Sequence, residues 1–403
     1  MKAFNEAFKS DAPYKSFFWS FGLSALGYGV YKGVVDNYFA ETVAMSEFSR
    51  GITEFFREAP GLMLVFILAA FYTFSAERLF KIGALISLFG MVIISAVPST
   101  FVWAVVATFI YSLGDHIQIA MRNTLTLQYA KSGKEGLALG RQNAVSQIGS
   151  LLGFIVVVTG FAFFISGKPY KEFFMISSAL LALSAAVCFG MKNKSETNPN
   201  QKRFYFRKKY ATYYMLEIFY GARKQVFFTF GPYVLILFYG ASATHISILF
   251  AISAIACYFT SPIIGRIIDR AGYKIVMIAD TILLVFVCFF YGFAHHLFSM
   301  HTAFIICCVN YVLDSVISLA SMATNVYVKD ISESKDETQK TLSTGLSVNH
   351  LVTIFIALFG GWIWKTCGIE TLFIISAILG LCNSAYAATV KTGAQLGIVR
   401  RDE

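Results

Sequence analysis

Charged residues standing in otherwise apolar stretches are the first chemistry visible in this chain of 403 residues. Lys32 and Asp36 lie one helical turn apart, close enough to pair. Arg50, Glu54, Arg57 and Glu58 open a second stretch, and the i, i+4, i+8 spacing puts Arg50, Glu54 and Glu58 on one helical face. Asp115 and His116 fall near the middle of a third, with Arg122 two turns on and roughly on the face of Asp115. Glu217, Arg223, Lys224 and Gln225 form another group, and Asp314 stands mid-stretch in a fifth. Groups of this kind hold oppositely charged solutes, pair with each other, or carry protons. Arg223 and Lys224 are adjacent, so on a helix they project about 100° apart and cannot share one partner geometry. One is then available to an anionic ligand and the other to a carboxylate on a neighbouring helix. A carboxylate held between burial, which disfavours its charge, and a nearby cation, which favours it, is a candidate for protonation. Asp36, Asp115, Asp314, Glu54, Glu58 and Glu217 are such candidates, while Lys32, Arg122, Arg223, Lys224, Gln225 and Tyr31 are candidate solute contacts. The competing possibility is permanent structural pairing: Asp115 with Arg122 or Lys32, and the Arg223 and Lys224 cations with Asp314 or Glu217.

The elements that must position these groups are helices in a membrane. Hydrophobic residues make up 57% of the chain and charged residues 14%, against about 25% charged in an ordinary soluble domain. That excludes a disordered chain and argues against a soluble enzyme. Apolar blocks of spanning length fall near 16–42, 48–74, 80–98, 101–128, 138–166 and 171–190, and again near 208–237, 243–265, 273–294, 301–328, 343–364 and 370–390. The expected fold class is therefore all-α, a polytopic membrane protein with twelve spans: an N-terminal six-helix bundle over 1–190, a basic linker over 191–207, and a C-terminal six-helix bundle over 208–403. At the centre of a span an ionised side chain costs at least about 2.5–3.5 kcal/mol, so each of the groups named above needs a reason to be there.

The net charge of +10 is read as topology. Its densest run, Lys192, Lys194, Lys202, Arg203, Arg207, Lys208 and Lys209, lies in the central connector, and other basic residues fall in alternate loops. The positive-inside rule then puts both termini in the cytoplasm, with anionic lipid as the minor alternative partner of the basic run and no nucleic acid expected. The polar segment from Met1 to Lys15 leads into an apolar stretch too long for a signal peptide core, read as a retained first span in a cell membrane. The halves echo each other: Tyr111-Ser-Leu-Gly-Asp115 against Tyr311-Val-Leu-Asp314, and Glu77-Arg78 against Asp269-Arg270.

Between the eighth and ninth blocks stands Gly265-Arg-Ile-Ile-Asp269-Arg270-Ala-Gly272-Tyr-Lys274. This resembles the cytoplasmic signature G-x-x-x-D-R-x-G-x-K of the major facilitator superfamily. Gly272 permits a tight turn and Gly265 a close helix approach, Asp269 can accept hydrogen bonds at a helix N-terminus, and Arg270 and Lys274 can pair with carboxylates or phosphates. The first-half copy, Phe74-Ser-Ala-Glu77-Arg78-Leu-Phe-Lys81, keeps the acid and base and lacks both glycines. Gly140, Gly149 and Gly153 resemble the start of the superfamily's antiporter signature, but Phe154 stands where its Pro would be, and helix packing explains the spacing as well. Met191-Lys-Asn-Lys-Ser does not resemble the sugar-porter signature.

The resemblance implies a secondary active transporter, not an enzyme, whose two bundles rock about a midplane site while the signature acts as a cytoplasmic gate. With the cation-rich set above, the expected substrate is a small organic anion or zwitterion, the coupling ion H+, the mode symport, and the transporter a monomer in the bilayer without cofactors. The alternatives are an exporter of drugs or amphiphiles within the same superfamily and, in another class, a non-transporting receptor or lipid-handling scaffold. No G-x-x-x-x-G-K-[ST], H-E-x-x-H or G-x-S-x-G motif occurs. The seven Cys form no C-x-x-C pair and most sit in apolar blocks, and the adjacent His295 and His296 lack a recognised metal spacing, so no metal is expected.

Overall fold

The computed structural model describes residues 7–9, 14–71, 73–131, 134–163, 167–191, 206–391 and 395. Within the basic run, Lys192, Lys194, Lys202 and Arg203 lie outside the described residues. The described residues are predominantly helical, and each of the first nine apolar blocks becomes one helix: α1 (Tyr14–Glu41), α2 (Glu47–Ala70), α3 (Ala76–Ala96), α4 (Phe101–Tyr129), α5 (Glu135–Phe163), α6 (Tyr170–Phe189), α7 (Ala211–Leu237), α8 (Ala243–Ala271) and α9 (Tyr273–Leu297). The tenth block is broken into α10 (Met300–Ile317) and α11 (Met322–Ile331) by the 3-10 turn Ser318–Ser321. Finally come α12 (Lys335–Cys367) and α13 (Ile369–Ala387).

Helix ends follow local chemistry. Ser75, Ser299 and Ser334 stand just before α3, α10 and α12, and each hydroxyl accepts from the backbone N–H three residues on, filling one of the orphan donors of the first turn. Capping by Ser334 explains why α12 starts eight residues ahead of the apolar block: its first turns are polar and stable outside lipid. Gly272, with φ +85°, and Gly368, with φ +89°, reverse the chain between consecutive helices in a conformation that costs other residues energy.

Among the described residues, nine helical runs are long and apolar enough to cross a membrane. The long helices outside that set are α1, α2 and α7, of 28, 24 and 27 residues. They are the helices that carry Lys32 and Asp36, the Arg50 to Glu58 set, and Glu217 with Arg223 and Lys224. Length suffices in all three; charge lowers their apolarity.

The chain divides into two compact units, one of residues 1–45, 56–201 and 242–251, the other of residues 46–55, 202–241 and 252–403. In the first unit α1 packs on α5 and α6, and α3 on α4 and α6. In the second α7 packs on α12 and α13, and α9 on α10 and α13. The same pairing scheme thus recurs, helix for helix, as a duplicated six-helix element requires. Each unit has its own apolar core, around Phe17, Phe80 and Leu125 in the first and Tyr213, Leu216 and Val328 in the second. In the first unit Gly153 on α5 faces Gly29 and the Leu26 carbonyl on α1, where any side chain would collide with backbone. Gly149 meets Ala25 and the Gly22 carbonyl in the same way, whereas Gly140 has nothing near it. Close helix packing therefore accounts for two of the three glycines that resemble the antiporter signature, Gly149 and Gly153.

Candidate functional site

The charges that the sequence places mid-span fall into clusters within each unit. In the second unit the side chain of Arg223 on α7 is 2% exposed and donates through Nη2 to Asp280 Oδ2 on α9 at 2.9 Å. Its guanidinium also lies 5.1 Å from the Tyr220 ring centre. Thr281 Oγ1 donates to the other oxygen of Asp280 at 3.3 Å. The partner of Arg223 is therefore Asp280, not Asp314 or Glu217, the carboxylates named in the competing possibility. Asp314 and Glu217 sit elsewhere around the same helix: Glu217 accepts from Asn349 Nδ2 at 3.2 Å and from Thr324 Oγ1 at 3.3 Å, and the Asp314 carboxylate is buried. Among the described residues Asp314 makes no side-chain hydrogen bond or ion pair, although the charges of Arg223 and Lys224 reach it.

Lys224, one residue on, is exposed and has no carboxylate partner among the described residues; its ammonium stands 6.0 Å from the Tyr220 ring centre. Helical geometry forces this split, since successive side chains diverge by about 100°. Gln225 diverges again, into a buried network: its Nε2 donates to Glu54 Oε1 at 3.0 Å and Thr229 Oγ1 at 2.9 Å, while Arg50 Nη1 donates to Glu54 Oε2 at 2.8 Å. Arg50 and Glu54 are 3% and 0% exposed. The three consecutive residues 223–225 thus serve three surroundings, and only Lys224 is open to solvent. An accessible ammonium in mid-span faces water rather than lipid, because lipid would cost it several kcal/mol (at least about 2.5).

In the first unit Lys32 Nζ donates to Asp36 Oδ2 at 2.8 Å and lies 5.2 Å from the Phe250 ring centre. Tyr31, beside it, is buried, with its ring 4.8 Å from that of Tyr111 and 5.9 Å from that of Phe174. On α2 and α4, Arg57 pairs with Glu58, the Ser112 hydroxyl donates to the Arg57 carbonyl, and Ser112 Oγ lies 3.0 Å from His116 Nδ1. Asp115 makes no ion pair among the described residues; the charges of His116, Arg122 and Arg57 reach it from a distance. Arg122 instead lays its guanidinium 4.6 Å from the Phe21 ring centre, so the alternative of a permanent pair between Asp115 and Arg122 or Lys32 is not made. The reason is registry: seven residues along a helix bring two side chains to one face but about 10 Å apart along the axis.

The signature segment is partly as expected. Gly272 makes the turn. Lys274 donates to the Val390 carbonyl beyond the end of α13 at 3.1 Å, and Lys81 donates to the Met191 carbonyl beyond the end of α6 at 2.6 Å. Each lysine thus sits at the C-terminal end of a helix, α6 or α13, where a cation is favoured by the helix dipole. A tyrosine-acid pair also recurs with its ends exchanged: Tyr129 on α4 donates to Glu77 on α3 at 3.1 Å, and Tyr273 on α9 donates to Asp330 on α11 at 2.8 Å. Three expectations differ. Nothing approaches within 4 Å of a side chain added at Gly265, because that turn of α8 lies at the surface beside Arg266 and Ile267. Asp269 stands in the last turn of α8, not at a helix N-terminus, and it and Arg270 are exposed without hydrogen bond or ion pair among the described residues. Arg78 is exposed as well, 4.0 Å from the Phe74 ring centre.

Two residues central to these clusters, Asp280 and Arg50, carry no assigned role in the sequence reading. Asp280 was legible as a lone carboxylate two turns into an otherwise apolar helix.

Comparison with known proteins places this arrangement. The fold is that of solved membrane transporters: a nucleoside transporter, NupG (16% identity, TM-score 0.71, covering 93% of this chain and 99% of that one), a D-xylose-proton symporter (15%, 0.72, 94% and 98%) and a POT family transporter in complex with 5-aminolevulinic acid (11%, 0.73, 92% and 94%). No curated protein matches the sequence. Residues 213–394 match the family profile of the Major Facilitator Superfamily, and the likeness in fold to these solved transporters extends over both units.

Proposed function

We propose that the chain moves a small organic anion or zwitterion across a cell membrane by alternating access, coupled to protons, with both termini in the cytoplasm. The observation that carries this reading is the state of the α7 cations. Asp280 neutralises Arg223, which leaves Lys224 exposed in mid-span with no carboxylate partner among the described residues, near the buried carboxylate of Asp314. A free ammonium recognises a carboxylate or phosphate, and a carboxylate whose charge is weighed against that ammonium is suited to exchange a proton as substrate arrives and leaves. Lys32 and Arg122 add positive charge in the first unit, with Asp36 and Asp115 as its carboxylates. The fold-sharing proteins described as bound to 5-aminolevulinic acid and as a D-xylose-proton symporter make a zwitterionic substrate and proton coupling natural for this architecture.

The test is counterflow in proteoliposomes over a panel of organic acids, amino acids and neutral metabolites. A substrate set confined to anions and zwitterions, with uptake lost in Lys224→Gln and the pH-gradient drive lost in Asp314→Asn while exchange persists, supports the reading. Transport of neutral amphiphiles untouched by Lys224→Gln would replace it with the exporter reading, and saturable binding without exchange would point to a receptor.

A further inference from the structure

At the other end of α9 from Gly272, the second unit gathers three metal-ligating side chains. His295 Nε2 and His296 Nε2 lie 3.3 Å and 2.8 Å from the same oxygen, Oε1 of Glu370 on α13. Adjacent residues within a helix project about 100° apart. These two converge, their ring centres 3.9 Å apart, in the last turn of α9, just before the extended Phe298. Three features hold the cluster. The Phe238 ring packs 4.6 Å from that of His295. Glu370 is the second residue of α13, directly after the turn at Gly368. Gly292, one turn before His296, faces the start of α13, where a Cβ in its place would lie 3.4 Å from the Glu370 Cα, at ordinary contact distance.

Hydrogen bonding alone accounts poorly for this geometry. Two protonated imidazoles at this spacing repel, and a single carboxylate offsets only one of their charges. Two neutral imidazoles have to aim both N–H groups at one oxygen. A divalent cation satisfies all three groups together, taking both Nε2 lone pairs and the carboxylate while each ring keeps its proton on Nδ1. The spacings also suit it. With metal-ligand bonds of about 2.0–2.2 Å, neighbouring ligand atoms in tetrahedral or octahedral coordination stand about 2.9–3.5 Å apart. The three ligand atoms lie within 4.8 Å of one another, so small movements, chiefly of the exposed His296, complete the set. His296 is 57% exposed and leaves room for water as a further ligand. Two imidazoles and a carboxylate are borderline donors that select zinc-like ions over Mg2+ or Ca2+.

We propose that His295, His296 and Glu370 form a binding site for Zn2+ or a similar divalent transition metal, which staples the end of α9 to the start of α13. This inference is independent of which solute the chain carries. The test uses the full-length chain in detergent, without a histidine tag, titrated with Zn2+ alone and with Mg2+ as control. One Zn2+ per chain is expected, with no Mg2+ competition. His296→Ala and Glu370→Gln should each weaken it at least about tenfold, and the His295→Ala/His296→Ala double variant should abolish it. A readout that needs no variant is footprinting: bound Zn2+ should protect His295 and His296, but not His245 or His301, from diethyl pyrocarbonate. Equal affinity in the double variant, or unprotected His295 and His296 at saturating Zn2+, overturns the proposal.

Discussion

Breaking the ion pair between Arg223 and Asp280 should destabilise the second unit more than any single change at an exposed charge. The two side chains are 2% and 7% exposed and meet at 2.9 Å. Coulomb's law with an effective dielectric of about 20 gives roughly 332/(20 × 2.9), or about 6 kcal/mol of attraction, against desolvation penalties of several kcal/mol per ion. The net worth of the intact pair against apolar residues is therefore small. Losing one partner is another matter, because it strands the other charge in the interior at a cost of about 3–5 kcal/mol, or two to more than three powers of ten in the folded-to-unfolded ratio. Arg223→Met and Asp280→Leu should each show this loss, whereas the double variant should recover most of it. Reversible unfolding in mixed micelles, arranged as a double-mutant cycle, measures the coupling. Single losses that merely add would refute the pairing, as would an Arg223→Met protein as stable as its parent. Lys224→Gln provides the contrast: its ammonium is exposed and its stability should shift by no more than about 0.5 kcal/mol, even where transport is lost.

Other expectations follow from particular contacts. Gly153→Leu should prevent α1 and α5 from closing and abolish monodisperse expression, while Gly140→Leu, with open space around it, should be tolerated; fluorescence-detected size exclusion separates the two. Gly272→Val forces a β-branched residue to φ +85° and should cost at least about 1–2 kcal/mol, read in the same unfolding assay. Tyr273→Phe removes one hydrogen bond to Asp330 and should cost about 1–3 kcal/mol, because the bond is to a charged group. Cys367 is exposed at the end of α12. If both termini are cytoplasmic, a membrane-impermeant maleimide should label it in intact cells, and protection until lysis would invert the orientation.

The fold was readable because its signal is carried by long apolar runs, which no alternative structure satisfies in lipid. Block limits agree with helix limits to a few residues except where a capped polar turn extends a helix past the bilayer, as Ser334 does for α12. The charged positions were readable for the same reason, since scarcity makes each one conspicuous. Partnership was not. Lys32 with Asp36 and Arg50 with Glu54 are i, i+4 pairs that a sequence displays, but Arg223 with Asp280 spans 57 residues and depends on how α7 meets α9. Gly265 shows the opposite limit: a motif position invites a packing role that the surface setting of that turn does not use. Gln225 shows a third, because three consecutive residues look like one site in a string and cannot be one on a helix.

The lower apolarity of α1, α2 and α7 bears on how the protein is made. A helix leaving the ribosome is tested for lipid on its own, and α7 presents Arg223 and Lys224 at a cost of about 2.5–3.5 kcal/mol each near the bilayer centre. The carboxylate that answers Arg223 is translated 57 residues later, on α9. The seventh helix is thus expected to linger at the translocon until the ninth arrives, so that the two enter lipid as a neutral pair. Truncated nascent chains ending after α8 should leave α7 accessible to aqueous reagents, and chains ending after α9 should not.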